Sequence, residues 1–279
     1  MDALRQAIAE VKVNGVPSPP QWGALVLLDI ASGDVLAMAN WQRGVPEDQP
    51  ERMMATPYQC SYEPGSIVKP LVFAFALQHG GIDWNDPIDC TPDPRQSDHG
   101  RMTSGGRVIH DDHACGVLKP HDILVNSSNI GAAEVGQHLS RELWRQYLDF
   151  YRFGEPSGLR LPFEVTGTIG RFDTTEKGFR KYTATALSIG YQLNVTVLGM
   201  ARAYLTMLSG AQRDLRLYRG LRGADAHVEF APKPSGVREL SPAVVEAVTA
   251  AMVDVVGPES DGNRPTGSRL IKQFRDSDH

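Results

Sequence analysis

The sequence predicts an α/β (α+β) fold organised as one domain, on three observations. Residues 24–40, "ALVLLDIASGDVLAMAN", are two apolar runs around the turn cluster Ser32-Gly33-Asp34, the pattern of a β-hairpin. Residues 65–81, "GSIVKPLVFAFALQHGG", are a long apolar run closed by two glycines, the pattern of a helix with a glycine stop. Residues 194–210 and 240–256 carry apolar residues at helical spacing, so the body after the hairpin is largely helical.

Each element has a local reason. Both faces of the hairpin are apolar, so helices should cover at least one of them. The start, "MDALRQAIAEVKV", sets Leu4, Ile8 and Val11 on one stripe and reads as an amphipathic helix. Residues 41–62 are irregular. The 65–81 helix is hydrophobic nearly all round, which predicts a buried central position. Residues 82–117 are rich in Asp, Pro, Gly and His and read as a long surface excursion of the kind that often carries function. "KPHDILVN" reads as a short helix, and residues 129–153 as one or two more. Leu198, Ala201, Leu205 and Leu208 form the stripe of the 194–210 helix, closed by Gly210. The 240–256 helix opens with Ser241 as cap and Pro242 in its first turn, with Val245, Val248, Met252 and Val255 or Val256 facing a core. After residue 257 the chain turns polar, which divides it into a body, 1–256, and a connector or tail, 257–279.

Composition narrows the function classes. The 279 residues are 41% hydrophobic with a formal net charge of −5, which lacks the basic footprint of a nucleic-acid binder. No run approaches the ~18 apolar residues of a membrane span, and the first residues lack the basic and apolar blocks of a signal peptide. Three cysteines, Cys60, Cys90 and Cys115, occur without a CxxC pair. At most one disulfide can form, so buried free thiols are the simplest reading.

The chemistry concentrates in "EPGSIVKP", residues 63–70. Ser66 at the head of the central helix puts Lys69 one turn on, on the same face. Pro70 is tolerated because it still falls in the first turn, and Gly65 admits a close backbone approach. A serine hydroxyl is a weak nucleophile until a base takes its proton. A lysine serves only when neutral, and burial together with the positive end of a helix dipole lowers its pKa. Alone, S-x-x-K is more simply a helix cap and a snorkelling lysine. Here it occurs once in the chain and opens its most apolar helix. "NSSN", residues 126–129, supplies a second group. Ser127 and Asn129, two apart, diverge on a helix and reach one site only from a turn; the plain alternative is a cap before Ile130.

These stretches together resemble the transpeptidase domain of class B penicillin-binding proteins, of the cell-division and elongation type. "EPGSIVKP" is similar to that family's first motif and "NSSNIGAAEVG" to its second. "GALVLLDIASGDVLAMAN" looks like its first hairpin, "GRVIHDDHACGVLKPHDILVNSSN" like its approach to the second motif, and "ALSIGYQLNVTVLGMARAYLTMLSG" like its later helical region. The likeness covers roughly residues 1–256. It implies the penicillin-binding-protein and serine β-lactamase fold, with the hairpin at one edge of a central antiparallel sheet and a large helical part. It also implies a D,D-transpeptidase that cross-links peptidoglycan stem peptides outside the cytoplasm, with β-lactams as inhibitors and cell-wall synthesis or division proteins as partners. Ser66 is then the acylated nucleophile, Lys69 its base and Ser127 a proton relay. Asn129 binds the substrate amide or holds Lys69. No cofactor and no metal is implied; His110, Asp111, Asp112 and His113 read as an exposed polar loop rather than zinc ligands.

The resemblance also predicts departures. The family's third motif, K-T-G or K-S-G on a strand beside the nucleophile, has no counterpart, since no lysine precedes Thr-Gly or Ser-Gly. Pro265-Thr266-Gly267-Ser268 reads as coincidental. On this reading the chain stops before the strands that pair with the hairpin, lacks its membrane anchor, and is catalytically inert and poorly stable as it stands. A serine β-lactamase or β-lactam sensor is the enzymatic alternative, and a non-catalytic pseudo-transpeptidase scaffold the other.

Overall fold

The computed structural model describes residues 20–45, 54–103, 106–170, 179–223, 227–231, 238–258 and 265–268, a few isolated positions, and the paired segments β1 (Lys12–Val13) and β2 (Val16–Pro17). Residues 1–11 of the expected N-terminal helix lie outside the described residues. Its last two, Lys12 and Val13, are strand instead, paired with Pro17 and Val16.

The hairpin forms as its pattern dictates. Strands β3 (Trp22–Leu28) and β4 (Val35–Gln42) pair antiparallel around the Ser32–Asp34 turn. Gly33 sits at φ 75°, a left-handed conformation that favours glycine. Val26, Leu28, Val35 and Met38 pack against Leu198 and Leu205 of a later helix. Leu25 and Leu27 lie on the other face, half-exposed.

The short helix α1 (Thr56–Gln59) and strand β5 (Ser61–Tyr62) lead into a 3-10 turn, Gly65–Val68, which passes directly into α2 (Lys69–Gln78). Pro70 lies in the first turn of α2, where its missing N–H has no intrahelical partner to lose. From Leu71 to Ala76 every side chain of α2 is fully buried, which is what a helix without a polar face requires. The excursion after it is built of paired short strands, β6 (Ile88–Asp89) with β9 (Val117–Leu118) and β7 (Gly100–Met102) with β8 (Val108–His110).

Helices α3 (Pro120–Asn126), α4 (Asn129–His138) and α5 (Arg141–Phe150) follow. Ser140 caps α5 through the N–H of Leu143 at 3.1 Å, and Trp144, Tyr147 and Tyr151 fill the core beside α2. Strand β10 (Thr168–Ile169), helix α6 (Thr185–Ser188), strand β11 (Leu193–Thr196) and helix α7 (Val197–Ser209) come next. Strands β10, β11 and β5 form one antiparallel sheet. That sheet joins the entry into the 65–68 turn to the entry into α7. Gly210 ends α7 at φ 73°.

After the pair β12 (Gly220–Arg222) and β13 (His227–Glu229), α8 (Pro242–Asp254) opens with Ser241 accepting the N–H of Val244 at 3.3 Å. Val248 and Ala251 are its fully buried residues, while Val253 is exposed. The backbone N–H of Ser241 donates to Gln78 Oε1 at 2.8 Å, which ties the start of α8 to the end of α2.

Candidate active site

Ser66, Lys69 and Ser127 line one cavity of about 250 Å³, with Ile67, Pro70, Leu124, Tyr204, Met252, Val255 and Thr266. Ser66 and Ser127 are 61 residues apart in sequence, so only the fold brings them together.

Lys69 is 2% exposed. Its amine donates to Ser127 O at 2.5 Å, to Ser127 Oγ at 3.1 Å and to Asn129 Oδ1 at 2.8 Å. Three acceptors match the three donors of an ammonium. Burial pushes its pKa down to about 8, and the carboxylates of Asp111 and Asp112 push the other way. The lowering expected from burial is therefore present. Among the described residues Lys69 makes no hydrogen bond to Ser66; the amine is turned toward the 127–129 turn.

The "NSSN" stretch does what its spacing requires. Ser127 ends α3 in the left-handed region, at φ 52°. Ser128 caps α4, its Oγ accepting the N–H of Gly131 at 3.0 Å. The sharp turn between the two helices lets Ser127 and Asn129 face the same amine. The cap expected here is thus real, but it belongs to Ser128.

The reading of residues 110–113 as an exposed polar loop is corrected at Asp111, which is buried. Its Oδ2 accepts from Ser128 Oγ at 2.6 Å, and its Oδ1 accepts the N–H groups of Asn129 at 2.5 Å and Ile130 at 3.1 Å. Asn129 Nδ2 donates to His110 O at 2.7 Å, so Asn129 is held at both ends. Among the described residues no cluster of His, Cys, Asp and Glu is arranged to hold a metal. Cys60, Cys90 and Cys115 are free thiols, of which only Cys90 is fully buried.

Gly65 also has a different role from the expected one. It sits at φ 60°, and a side chain there would meet nothing within 4 Å. The close approach comes from Gly190, at φ 81°, where a side chain would overlap the Gly65 backbone. The Gly65 N–H donates to Gly190 O at 3.2 Å. Tyr204 of α7 donates its hydroxyl to Ile67 O at 2.7 Å, pinning the other side of the turn that carries Ser66. Neither Gly190 nor Tyr204 has a local sequence signal.

Pro265–Ser268 is not spatially incidental. The Thr266 N–H donates to Val125 O at 3.2 Å and the Gly267 N–H to Val255 O at 2.9 Å. The segment therefore bridges α3 and α8, with Thr266 at the cavity wall. It is a turn rather than a strand, and among the described residues Lys69 is the only lysine lining the cavity.

Comparison with known proteins bears on the family and the fold. The sequence model described as "Penicillin binding protein transpeptidase domain" matches residues 23–270. A probable peptidoglycan D,D-transpeptidase, PbpC, of Pseudomonas aeruginosa is 31% identical over 186 residues, covering 65% of this chain and 31% of that protein. The peptidoglycan D,D-transpeptidase FtsI of Escherichia coli is 27% identical over 273 residues, covering 94% of this chain and 42% of that protein. Among solved structures, penicillin binding protein 3 of Mycobacterium tuberculosis, in complex with aztreonam, superimposes with a TM-score of 0.70 at 23% identity. That match covers 86% of this chain and 53% of the other, and it shows the shared fold. The chain spans less than half the length of these two curated relatives.

Proposed function

The chain belongs to the penicillin-binding protein transpeptidase domain family, on its class B side, and we propose that it acts as a serine D,D-transpeptidase in peptidoglycan cross-linking. The observation that carries the reading is the buried Lys69 amine, held by Ser127 and Asn129 in the cavity that Ser66 lines.

In this reading Ser66 Oγ attacks the carbonyl carbon of a stem peptide's D-Ala–D-Ala bond. Its proton passes to neutral Lys69 Nζ. The oxyanion that forms is stabilised by backbone N–H groups, that of Ser66 among them. The C–N bond then breaks, and the proton returns from Lys69 through Ser127 Oγ to the departing D-Ala amine. A neighbouring stem peptide's amine attacks the acyl-enzyme and loses its proton along the same route, and Ser66 Oγ leaves reprotonated. The lysine begins as an ammonium with all donors used, so it must lose a proton before acting as base. With a pKa of about 8, about a tenth is neutral at pH 7. A direct Lys69–Ser66 bond forms on binding, since catalytic hydrogen bonds are often loose in unliganded sites.

A β-lactam presents a reactive amide in the same position and acylates Ser66. Its ring C–N bond opens and the released nitrogen takes the proton. The partners are other cell-wall synthesis or division proteins, and the site of action is the extracytoplasmic face of the inner membrane. No helix among the described residues is long and apolar enough to cross a membrane. Neither a β-lactamase nor a scaffold reading is favoured, because the relatives carry D,D-transpeptidase names.

Peptide mass spectrometry after incubation with a labelled penicillin tests this. The expected result is one adduct, on Ser66, lost in Ser66→Ala. An adduct on another serine, or one undiminished in the variant, overturns the reading.

A further inference from the structure

We propose that Asp111 is a positioning residue of this site: its buried carboxylate fixes the Ser127–Asn129 turn so that both side chains hold the Lys69 amine. The inference deepens the transpeptidase reading and rests on it for its kinetic arm.

The geometry is specific. One Asp111 oxygen takes two successive backbone N–H groups, those of Asn129 and Ile130, and the other takes the Ser128 hydroxyl. All three donors belong to the turn and first residues of α4, directly after Ser127. The preceding residue accepts the Asn129 side-chain N–H through His110 O, which leaves Oδ1 to face Lys69. Residues 110–111 thus define the backbone position and the amide orientation of Asn129 together. A neutral acceptor could cap the helix equally well. A carboxylate adds charge in a region where little water screens it. Of the charged groups acting on Lys69, Asp111 and Asp112 oppose its desolvation, Asp111 more strongly, and Asp112 is exposed.

The test measures Lys69 directly, by the pH titration of its Cε resonance in protein carrying ¹³C-lysine, assigned with Lys69→Arg. Penicillin acylation is followed in the same samples. Asp111→Asn should move the Lys69 midpoint down by at least roughly half a pH unit. The limiting acylation rate at high pH should fall about tenfold. Asp111→Ser keeps a capping hydroxyl in less volume and should shift the midpoint likewise, so it carries the test if the Asn variant does not melt cooperatively. Asp111→Glu retains the charge and should restore a midpoint near the native one. A folded neutral variant whose midpoint stays within about 0.2 units of native overturns the proposal. So does a Glu variant that shifts as far as the Asn variant, or a shifted midpoint with an unchanged limiting rate. If the midpoint moves as stated but even the native protein is not acylated, the positioning role stands and the transpeptidase reading fails.

Discussion

Lys69 and Asn129, 60 positions apart, meet at 2.8 Å, the lysine amine donating to the amide oxygen. The amide oxygen helps satisfy a cation that burial otherwise disfavours. Asn129→Leu removes an acceptor from the ammonium and should lower the lysine's pKa below about 8. The limiting acylation rate should fall roughly 10–100-fold, because the amine loses its orientation. Asn129→Asp should act oppositely on the pKa, since a carboxylate favours the charged amine. At pH 7 that variant should be slower, recovering as the pH is raised. A pH–rate profile of penicillin acylation reads both directions, and profiles displaced the same way would exclude this role for Asn129.

The native pH dependence follows from the same lysine. Its neutral fraction increases through a pKa of about 8, so acylation should rise tenfold per pH unit below that value and level off above it. Stability is linked with a defined sign. The folded-state pKa is depressed below the ordinary value of 10.5, so the unfolded chain binds more protons between those limits. The contribution of Lys69 is fully present above pH 10.5 and is lost as the pH falls through about 8. Denaturant midpoints of native protein and Lys69→Met across pH 7–10 should differ most at the acid end, to the native protein's disadvantage. A difference independent of pH would show that the lysine is not desolvated.

Gly190 is predicted to be the least replaceable residue packed on the turn that carries Ser66. A Cβ there overlaps the Gly65 backbone, and the position is also in the left-handed region. Gly190→Ala should cost roughly 2 kcal/mol or more and displace Ser66, so that acylation drops more than stability alone explains. Gly80 is the control. It has a similar φ of 73° but nothing within 4 Å of a Cβ, so its alanine variant should cost about 1 kcal/mol and leave acylation intact. Thermal melts and acylation rates of the two variants make the comparison.

The parts legible in the sequence are those set by neighbours along the chain. The hairpin is visible because Ser32-Gly33-Asp34 separates two apolar runs, and α2 because no polar residue interrupts it between Lys69 and Gln78. The convergence of Ser127 and Asn129 is legible as a constraint, since only a turn lets both face one amine. Asp111 is not legible, because its burial depends on β8 delivering it to the start of α4, and in sequence it sits among polar residues. Tyr204 and Gly190 act on the 65–68 turn from distant segments. Arg202 looks like a surface residue of α7, yet its guanidinium is buried and donates to Pro156 O and Arg152 O, each at 2.6 Å. Thr266 reaches the cavity only because α3 and α8 pack together.

Asp34 offers a test remote from the Ser66 cavity. It lies at the hairpin turn, buried, and accepts from Arg216 Nε at 2.5 Å and from Arg219 Nε at 2.7 Å. These contacts join β4 to the segment before β12, and the Val35 N–H adds a backbone bond to Arg216 O at 2.9 Å. The hydrogen bond from Arg216 is the main cause of a carboxyl pKa lowered to about 2. Asp34→Asn keeps the shape but removes the charge, leaving the partly buried Arg216 without the carboxylate that pairs with it. The melting temperature should therefore fall at pH 7. The sign with pH is the same as that of the lysine, in a more acidic range. A depressed carboxyl stabilises fully above its ordinary value of 3.8 and loses that contribution as the pH falls through about 2. The gap between native and variant melting temperatures should thus be constant near neutrality and close as the pH approaches 2, while penicillin acylation at pH 7 stays native-like in the folded variant. A gap that persists unchanged into acid would mean that it does not arise from the Asp34 charge and that the ion pairs contribute nothing to holding the hairpin on the helical body.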